Sequence, residues 1–531
     1  MALRDLVVAV RGLRGWIPAR RRAWAVGTTD VAHARLLADA ERVTGHVPAG
    51  CAWLDERTVG DLDLPLVFRS IDRTATPGGA QALWRWLVAP AIRRDVLDAR
   101  ERSLARLADP ALRARVRDAI GGQPSSDAPH LPRLLWEPLP APLRTGALAT
   151  LTVALIGLGV LAVWWPLLVI ACVALLVANL LIDDWVSLRF APHSRALEVL
   201  GQVIAAGERV VARGAWGDAA IRDDIAACAR LRKRLAWLTV RDQLGLADLL
   251  RGGFLLRLLM LGRWMRVVER DRDRLRRVVR WVGELDALAS IATLRADRSD
   301  VRVPRLAAGP APIVARDLVH PAVPGAIGND LALDGGLVLT GSNASGKSTF
   351  LRAIAVNAIC AQSIHTTFGH WDAGLVRVFA VMRIADVTAE GTSTYAVEVA
   401  AIGALVDAVH DPAVPALFAI DEPFRGTNPA LRVPIVVSVL DYLGARDVVI
   451  AATHDLDVAA QLGPRFARGY FGEPDDASGR FDRKLRQGVA PNSNALALLI
   501  RAGYPPAIIA AVEQRRDPAI GEHRSPAPGQ S

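Results

Sequence analysis

The run Gly341-Ser-Asn-Ala-Ser-Gly346-Lys347-Ser348-Thr349 follows the apolar stretch Leu337-Val-Leu-Thr340 and precedes a helical pattern. Glycines at Gly341 and Gly346 let backbone N–H groups turn inward around phosphates at a helix N-terminus. In the spacing GxxxxGK[ST], Lys347 reaches the β and γ phosphates and the Ser348 hydroxyl, with Thr349 beside it, binds Mg²⁺. A second apolar stretch, Ala416-Leu-Phe-Ala-Ile420, ends in Asp421-Glu422. Taken alone the acidic pair fits a helix N-cap equally well. Downstream of a phosphate loop it reads as Asp421 holding Mg²⁺ through water and Glu422 orienting or deprotonating the attacking water. A third stretch, Val448-Val-Ile-Ala-Ala452, ends in Thr453-His454-Asp455, and a lone histidine is more often structural than catalytic. At this strand end, His454 is expected to meet the γ-phosphate or its water. The chemistry these residues suit is hydrolysis at the end of a Mg²⁺-bound phosphate chain.

These residues need a parallel sheet with helices packed on it, delivering loops to one edge. The chain is 531 residues long, enough for about three domains at roughly 150 residues each. Hydrophobic residues are 52% and charged residues 22%, which excludes a disordered chain. Cys51, Cys172, Cys228 and Cys360 are scattered without a CxxC pair, so neither a disulfide framework nor a structural zinc site is indicated. The net charge of +10, carried mostly by arginine, suits nucleic acid or an anionic membrane surface and selects neither.

Between Arg144 and Asp183 there is no charged residue, and nearly all of 146–182 is Leu, Val, Ala or Ile. One helix of that length overshoots a bilayer core of about 30 Å, whereas two helices of about 18 residues fit it. The expected break is Trp164-Trp165-Pro166, with tryptophans at the interface and the proline in the first turn of the second helix. The other reading is a hairpin buried inside a soluble protein. Arginines outside both ends place the large flanking regions in the cytoplasm, so the expected location is the cell membrane. Arg263 to Arg280 holds eight arginines among apolar residues. It reads either as one amphipathic helix with a solvated basic face or as a surface for phosphate or lipid headgroups.

The order of the nucleotide loop, Gly391-Thr-Ser-Thr-Tyr-Ala-Val-Glu398, Asp421-Glu-Pro-Phe-Arg-Gly-Thr427-Asn428 and Ala452-Thr-His454 resembles the ATPase domain of the MutS family, within the ABC-like ATPases. The resemblance extends to His320-Pro321 with Asn329-Asp330, and to Lys484-Leu-Arg-Gln-Gly488 through Asn494-Ala-Leu to Ala502-Gly-Tyr-Pro505, similar to a C-terminal dimerisation region. Upstream, Leu54-Asp55-Glu-Arg-Thr58, Asp61-Leu62, Ser70-Ile-Asp72-Arg-Thr74-Ala-Thr76-Pro-Gly78 and Glu284-Leu-Asp286-Ala-Leu-Ala-Ser290 resemble the family's helical core. The resemblance implies that Asn343 belongs to the nucleotide loop and that Ser393 reaches across a homodimer to the partner's γ-phosphate. It also implies two ATP molecules held between subunits and DNA as a partner. Two departures stand out. The residues ahead of the core carry no Phe-x-Glu mismatch-reading motif, and Ala326-Ile327 occupies the place of the aromatic residue that stacks on adenine.

The expected fold is multidomain: an α-helical MutS-like core interrupted by a transmembrane helical hairpin, then an α/β P-loop domain of the ABC type. The expected divisions are a basic segment at 1–45, a first core part with Pro-rich linker at 46–144 and the hairpin at 145–184. There follow a second core or lever part at 185–300, the ATPase domain at 301–475, dimerisation helices at 476–516 and a disordered tail at 517–531. The expected function is a membrane-anchored ATPase working as a dimeric nucleotide sandwich coupled to DNA. The alternative is a membrane-side mechanochemical or scaffold ATPase with no nucleic-acid ligand. A transporter fits less well, because no charged residue lines the spans.

Overall fold

The computed structural model describes residues 31–121, 130–140, 143–214, 216–239, 252–342, 345–382, 394–409, 414–472, 481–490, 500 and 503–516. Asn343, Ser393, the arginines of the first thirty residues and the tail from 517 lie outside the described residues. Two compact units emerge: one holds residues up to Trp53, Phe68–Ala91 and Asp95–Ser299, the other Leu54–Val67, Ile92–Arg94 and everything from Asp300.

The helices up to Asp297 are α1 (Val31–Val43), α2 (Glu56–Asp61), α3 (Leu64–Ile71), α4 (Pro77–Val88), α5 (Arg94–Leu107), α6 (Pro110–Ile120), α7 (His130–Trp136), α8 (Thr145–Leu161), α9 (Leu168–Ala212), α10 (Ala219–Thr239), α11 (Leu256–Arg270) and α12 (Arg272–Asp297). In the first unit α4 is buried along almost its whole length and packs on α1 and α12. Thr76 caps α4 and Pro77 starts it, a good first-turn pair. The buried carboxylate of Asp286 accepts hydrogen bonds from the amides of Ala75 and Thr76 and from the Thr76 hydroxyl, while Ser290 accepts from the amide of Arg73. Two of the stretches that resemble the helical core, 70–78 and 284–290, thus meet through one buried acid. Burial raises its pKa to about 6 against the lowering effect of those hydrogen bonds.

Thr145–Leu161 and Leu168 onward form two apolar helices around the Trp164-Trp165-Pro166 turn, with Pro166 just ahead of the second helix. Their large side chains are exposed, among them Val153, Ile156, Trp164, Trp165, Leu167, Ile170 and Leu181. By length and composition α9 is the one helix among the described residues able to cross a membrane, and its most apolar window is only 11% buried. The hairpin's second arm does not end near residue 184. It continues through Pro192 to Ala212 as a single helix of 45 residues, because the chain beyond the apolar part packs on α6, α7 and α10 and keeps the helix going.

Arg263 to Arg280 is not one helix. It breaks at Asp271, which ends α11 and starts α12. Its arginines face acids of their own unit: Arg274 and Arg277 share Asp224, Arg280 holds the fully buried Glu41, Arg276 pairs with Asp273, and Arg270 with Asp271. Arg85 joins Glu41 to Glu284, and guanidinium groups stack on tryptophan rings, such as Arg100 on Trp86 and Arg106 on Trp216.

The second unit is α/β. Its strands are β1 (Val301–Arg302), β2 (Arg305–Leu306), β3 (Ile313–Leu318), β4 (Asn329–Leu333), β5 (Gly336–Thr340), β6 (Thr367–Phe368), β7 (His370–Ala373), β8 (Arg377–Val381), β9 (Ala416–Asp421), β10 (Val448–Ala452), β11 (Phe466–Phe471) and β12 (Leu485–Gln487). Its helices are α13 (Lys347–Ser363), α14 (Thr394–Ala408), α15 (Pro429–Leu443), α16 (Leu456–Gln461) and α17 (Pro506–Arg516). The main sheet has the order β12-β11-β5-β10-β9-β8, parallel except for the antiparallel edge strand β12. A four-stranded sheet, β2-β7-β3-β4, and the pair β1-β6 complete the unit. Lys484-Leu-Arg-Gln-Gly488, expected among dimerisation helices, instead supplies β12.

Leu54–Val67, expected in the helical core, clusters with the α/β unit. The reason is hydrogen bonding at the sheet edge: Thr58 Oγ1 accepts from the Ala380 amide at 2.9 Å and Asp61 Oδ2 from the Met382 amide at 2.9 Å, satisfying edge donors of β8.

In the first unit, Gly283 lets α12 approach α4 closely. A Cβ there would lie 2.6 Å from the Gly78 carbonyl oxygen, a backbone atom that cannot swing away. Gly283→Ala is expected to destabilise the protein by about 1–3 kcal/mol despite alanine's better helix propensity, read as a lowered Tm in the first unit's transition. An unchanged Tm would show that the helices can part without cost.

Candidate functional site

Three parallel strands, β5, β10 and β9, lie side by side and are almost completely buried up to their C-terminal ends. Continuous apolar runs of this kind are what a sheet covered on both faces requires. At that edge opens a cleft of about 960 Å³, whose lining includes Gly346, Lys347, Ser348, Thr349, Asp421 and Glu422.

After β5 the backbone turns into α13 through Gly341 (φ 135°) and Gly346 (φ 118°), conformations closed to side chains. Gly341 is also sterically required, since a Cβ would lie 2.8 Å from the Phe471 carbonyl oxygen. Lys347 is the first residue of α13, and its Nζ donates to the carbonyls of Gly341 at 2.7 Å and Ser342 at 2.9 Å. Burial lowers its pKa, opposed by the nearby carboxylates of Glu422 and Asp421.

β9 delivers Asp421, whose pKa is raised by burial against a lowering hydrogen bond from Ser348. Glu422 follows in the left-handed region (φ 50°), its amide held by the Ala452 carbonyl at 2.8 Å. That turn aims the side chain back over the sheet edge. Asp421 Oδ1 and Glu422 Oε1 are buried and accept no hydrogen bond from the described residues. Two buried acceptors beside a serine hydroxyl fit a hard cation that takes its remaining ligands from phosphate and water. Among the described residues no cluster of three or more His, Cys, Asp and Glu could hold a metal unaided.

His454, expected at the γ-phosphate or its water, lies at the same sheet edge with Nδ1 2.5 Å from Glu422 Oε2. Ala326 and Ile327 do line the cleft, with Val323 and Phe471, and form its apolar end.

Several lining residues carry no role in the sequence reading. The buried Glu398 accepts from the amides of Arg425 and Gly426 at 3.0 and 3.3 Å, shaping the turn that follows β9. Arg483 lines the opposite side, in a segment tied down by Asn329, which donates to its carbonyl and accepts from the Leu485 amide. The buried signal was an acid at the start of one helix and an asparagine before a strand, neither tied by spacing to a partner so far along the chain.

His320 also borders the cleft. Burial, with Arg352 adding to it and Asp63 opposing, lowers its pKa to about 4. A histidine with a depressed folded-state pKa contributes stability that is present above its ordinary value of 6.5 and lost as pH falls from there to about 4. Between pH 7 and pH 4 the second unit should therefore lose about 3 kcal/mol through this residue, seen as a falling urea midpoint. His320→Asn should flatten that slope, and a slope unchanged in the variant would assign it to other groups.

Residues 337–517 match the family model for MutS domain V. The chain is 34% identical over 259 residues to a DNA mismatch repair protein MutS of Chloroflexus aurantiacus, covering 45% of this chain and 26% of that protein. It is 34% identical over 189 residues to a DNA mismatch repair protein MutS 2 of Haloarcula marismortui, covering 34% and 19%. With a MutS of Natronomonas pharaonis the identity is 32% over 270 residues, covering 48% and 30%. The matches thus span about a quarter of the length of these relatives.

Proposed function

We propose that this chain, which belongs to the MutS family, is a membrane-anchored, Mg²⁺-dependent ATPase that works as a homodimer closing on two ATP molecules. The observation that carries the reading is the convergence of Lys347, Ser348, Asp421 and Glu422 on one cleft, with a buried oxygen on each carboxylate that accepts nothing from the described residues.

In this P-loop reading, the loop from Gly341 to Thr349, with Asn343, wraps the phosphates. Lys347 releases the Gly341 and Ser342 carbonyls and turns its ammonium to the β and γ phosphate oxygens. Ser348 and Asp421 would hold Mg²⁺, which would neutralise phosphate charge when bound. Glu422 accepts the proton of the water that attacks the γ-phosphorus, and the bond to the ADP oxygen breaks. The His454 ring keeps the glutamate in position and steadies its charge through the short hydrogen bond. Ser393 of the partner subunit completes the γ-phosphate contacts. Ala326 and Ile327 offer the base an apolar wall without ring stacking, so discrimination for adenine rests on other contacts.

The anchor is the hairpin of α8 and the first part of α9, whose exposed leucines, valines and tryptophans would otherwise present a large apolar patch to water. The nucleotide cycle is coupled to DNA, the reading favoured by relatives named as DNA mismatch repair proteins. The second reading, a membrane-side scaffold or mechanochemical ATPase without nucleic acid, draws support from the arginines between 263 and 280. Most of them are engaged with acids of their own unit.

Glu422→Gln should bind ATP and stay dimeric while losing at least about 100-fold in turnover. Undiminished hydrolysis would remove the assignment. With full-length protein in nanodiscs, DNA should stimulate the wild-type rate in a salt-sensitive manner. A rate indifferent to linear, branched and mismatched duplexes selects the scaffold reading.

A further inference from the structure

The apolar hairpin is not alone. Thr152 is a polar side chain inside α8, Asn179 one inside the apolar part of α9, and both reach the same short segment. Thr152 Oγ1 donates to the Phe254 carbonyl at 2.8 Å, and Asn179 Nδ2, fully buried, donates to the Gly253 carbonyl at 2.9 Å. Those two carbonyls lie where the chain turns at Phe254–Leu255, with Leu255 in the left-handed region (φ 51°), before α11 begins. A break of this kind leaves backbone acceptors without helical donors, a cost of several kcal/mol per group in hydrocarbon unless side chains supply the donors. Asp183, buried on α9, forms an ion pair with Arg257 of α11, with Arg257 Nε 3.2 Å from Asp183 Oδ1.

The glycines of this segment permit close contact. A Cβ on Gly253 would lie 2.5 Å from Leu176 Cδ1, and one on Gly262 would lie 2.8 Å from Thr145 Cγ2. α11 therefore begins beside Thr152 and reaches the level of Thr145 by Gly262, running antiparallel to α8. Thr145 to Thr152 is about 10 Å along the helix, roughly a third of a bilayer core. Beyond Gly262 come the exposed Arg263 and Arg266, side chains suited to headgroups. Past Phe254, an apolar groove of about 530 Å³ continues between the hairpin helices towards Trp164.

We infer that residues 252–262 form a third lipid-embedded element, a wedge in the cytoplasmic leaflet whose broken backbone is satisfied by Thr152 and Asn179 and whose charge is neutralised by Asp183. This rests on the membrane reading of the hairpin. In water the polar atoms of a helix break need no such dedicated donors, and two apolar helices have no reason to spend their polar side chains there. The wedge passes without interruption into α11, so the first unit is fixed to the bilayer by more than its hairpin.

The test uses the full chain with Cys51 and Cys172 replaced by alanine, since Cys228 and Cys360 are buried. An environment-sensitive fluorophore is placed singly at Leu256→Cys, Val160→Cys or the exposed Ser438→Cys, and the protein is reconstituted in phosphatidylcholine–phosphatidylglycerol vesicles. Lipids carrying a nitroxide on the upper acyl chain should remove most of the Leu256→Cys signal and leave that of Ser438→Cys. Quenching at Val160→Cys but not at Leu256→Cys overturns the wedge and leaves the hairpin. Quenching at neither overturns both. Thr152→Val with Asn179→Leu should reduce quenching at position 256 while leaving position 160 unchanged, and unaltered quenching at 256 would overturn the role of these donors.

Discussion

A buried ammonium has to be surrounded by oxygen, and in this protein that requirement sets the geometry of the nucleotide loop. Lys347 has left water at the start of α13, and the inward-turned carbonyls of Gly341 and Ser342 receive its protons. Turning those carbonyls inward demands backbone angles available only to glycine at Gly341, and the tight passage past Phe471 admits nothing larger. Across the cleft, Asp421 and Glu422 favour the charged lysine, while burial and the neighbouring Glu422 disfavour ionisation of Asp421. Cation and carboxylates are thus mutually dependent, and in the proposed reading phosphate with its metal relieves both sides at once.

What was legible in the sequence was whatever depends on local pattern. The strands β5, β9 and β10 are buried on both faces, so they appear as unbroken apolar runs, and their terminal residues mark the sheet edge that carries the chemistry. The side-chain partners at that edge were not legible. Glu422 adopts a left-handed conformation that no residue type announces, and its carboxylate meets the His454 ring from a strand end more than thirty residues further along the chain. Equally hidden were Thr58 and Asp61, which look like ordinary members of a short helix until their side-chain oxygens are found accepting from the amides of Ala380 and Met382. Hydrogen bonds across more than three hundred residues leave no periodic trace.

Charge was the most misleading signal. Arg263 to Arg280 reads as a basic surface, yet Asp224, Glu41, Asp271 and Asp273 meet most of its guanidinium groups, and others in the unit lie on tryptophan rings. Arginine suits this because its planar fork can bond a carboxylate with one edge and stack with its face. In the first unit the abundance of arginine and tryptophan reflects a way of joining helices at least as much as a way of attracting a polyanion. The Asp286 carboxylate does the same work with opposite charge, fastening the turn before α4 to the middle of α12.

The continuity of α9 has a mechanical meaning. At 45 residues it is roughly 67 Å long, more than twice the thickness of a bilayer core, and one end lies among exposed apolar side chains while the other is packed among α6, α7 and α10. Pro192 removes one backbone donor along it, so bending is localised there. In the membrane reading, a thinner bilayer makes the apolar part tilt, and a rod that passes unbroken into the protein carries that tilt with it as rotation about Pro192. In that reading, bilayer thickness and lateral tension are mechanical inputs delivered through one helix, with no ligand needed to carry them.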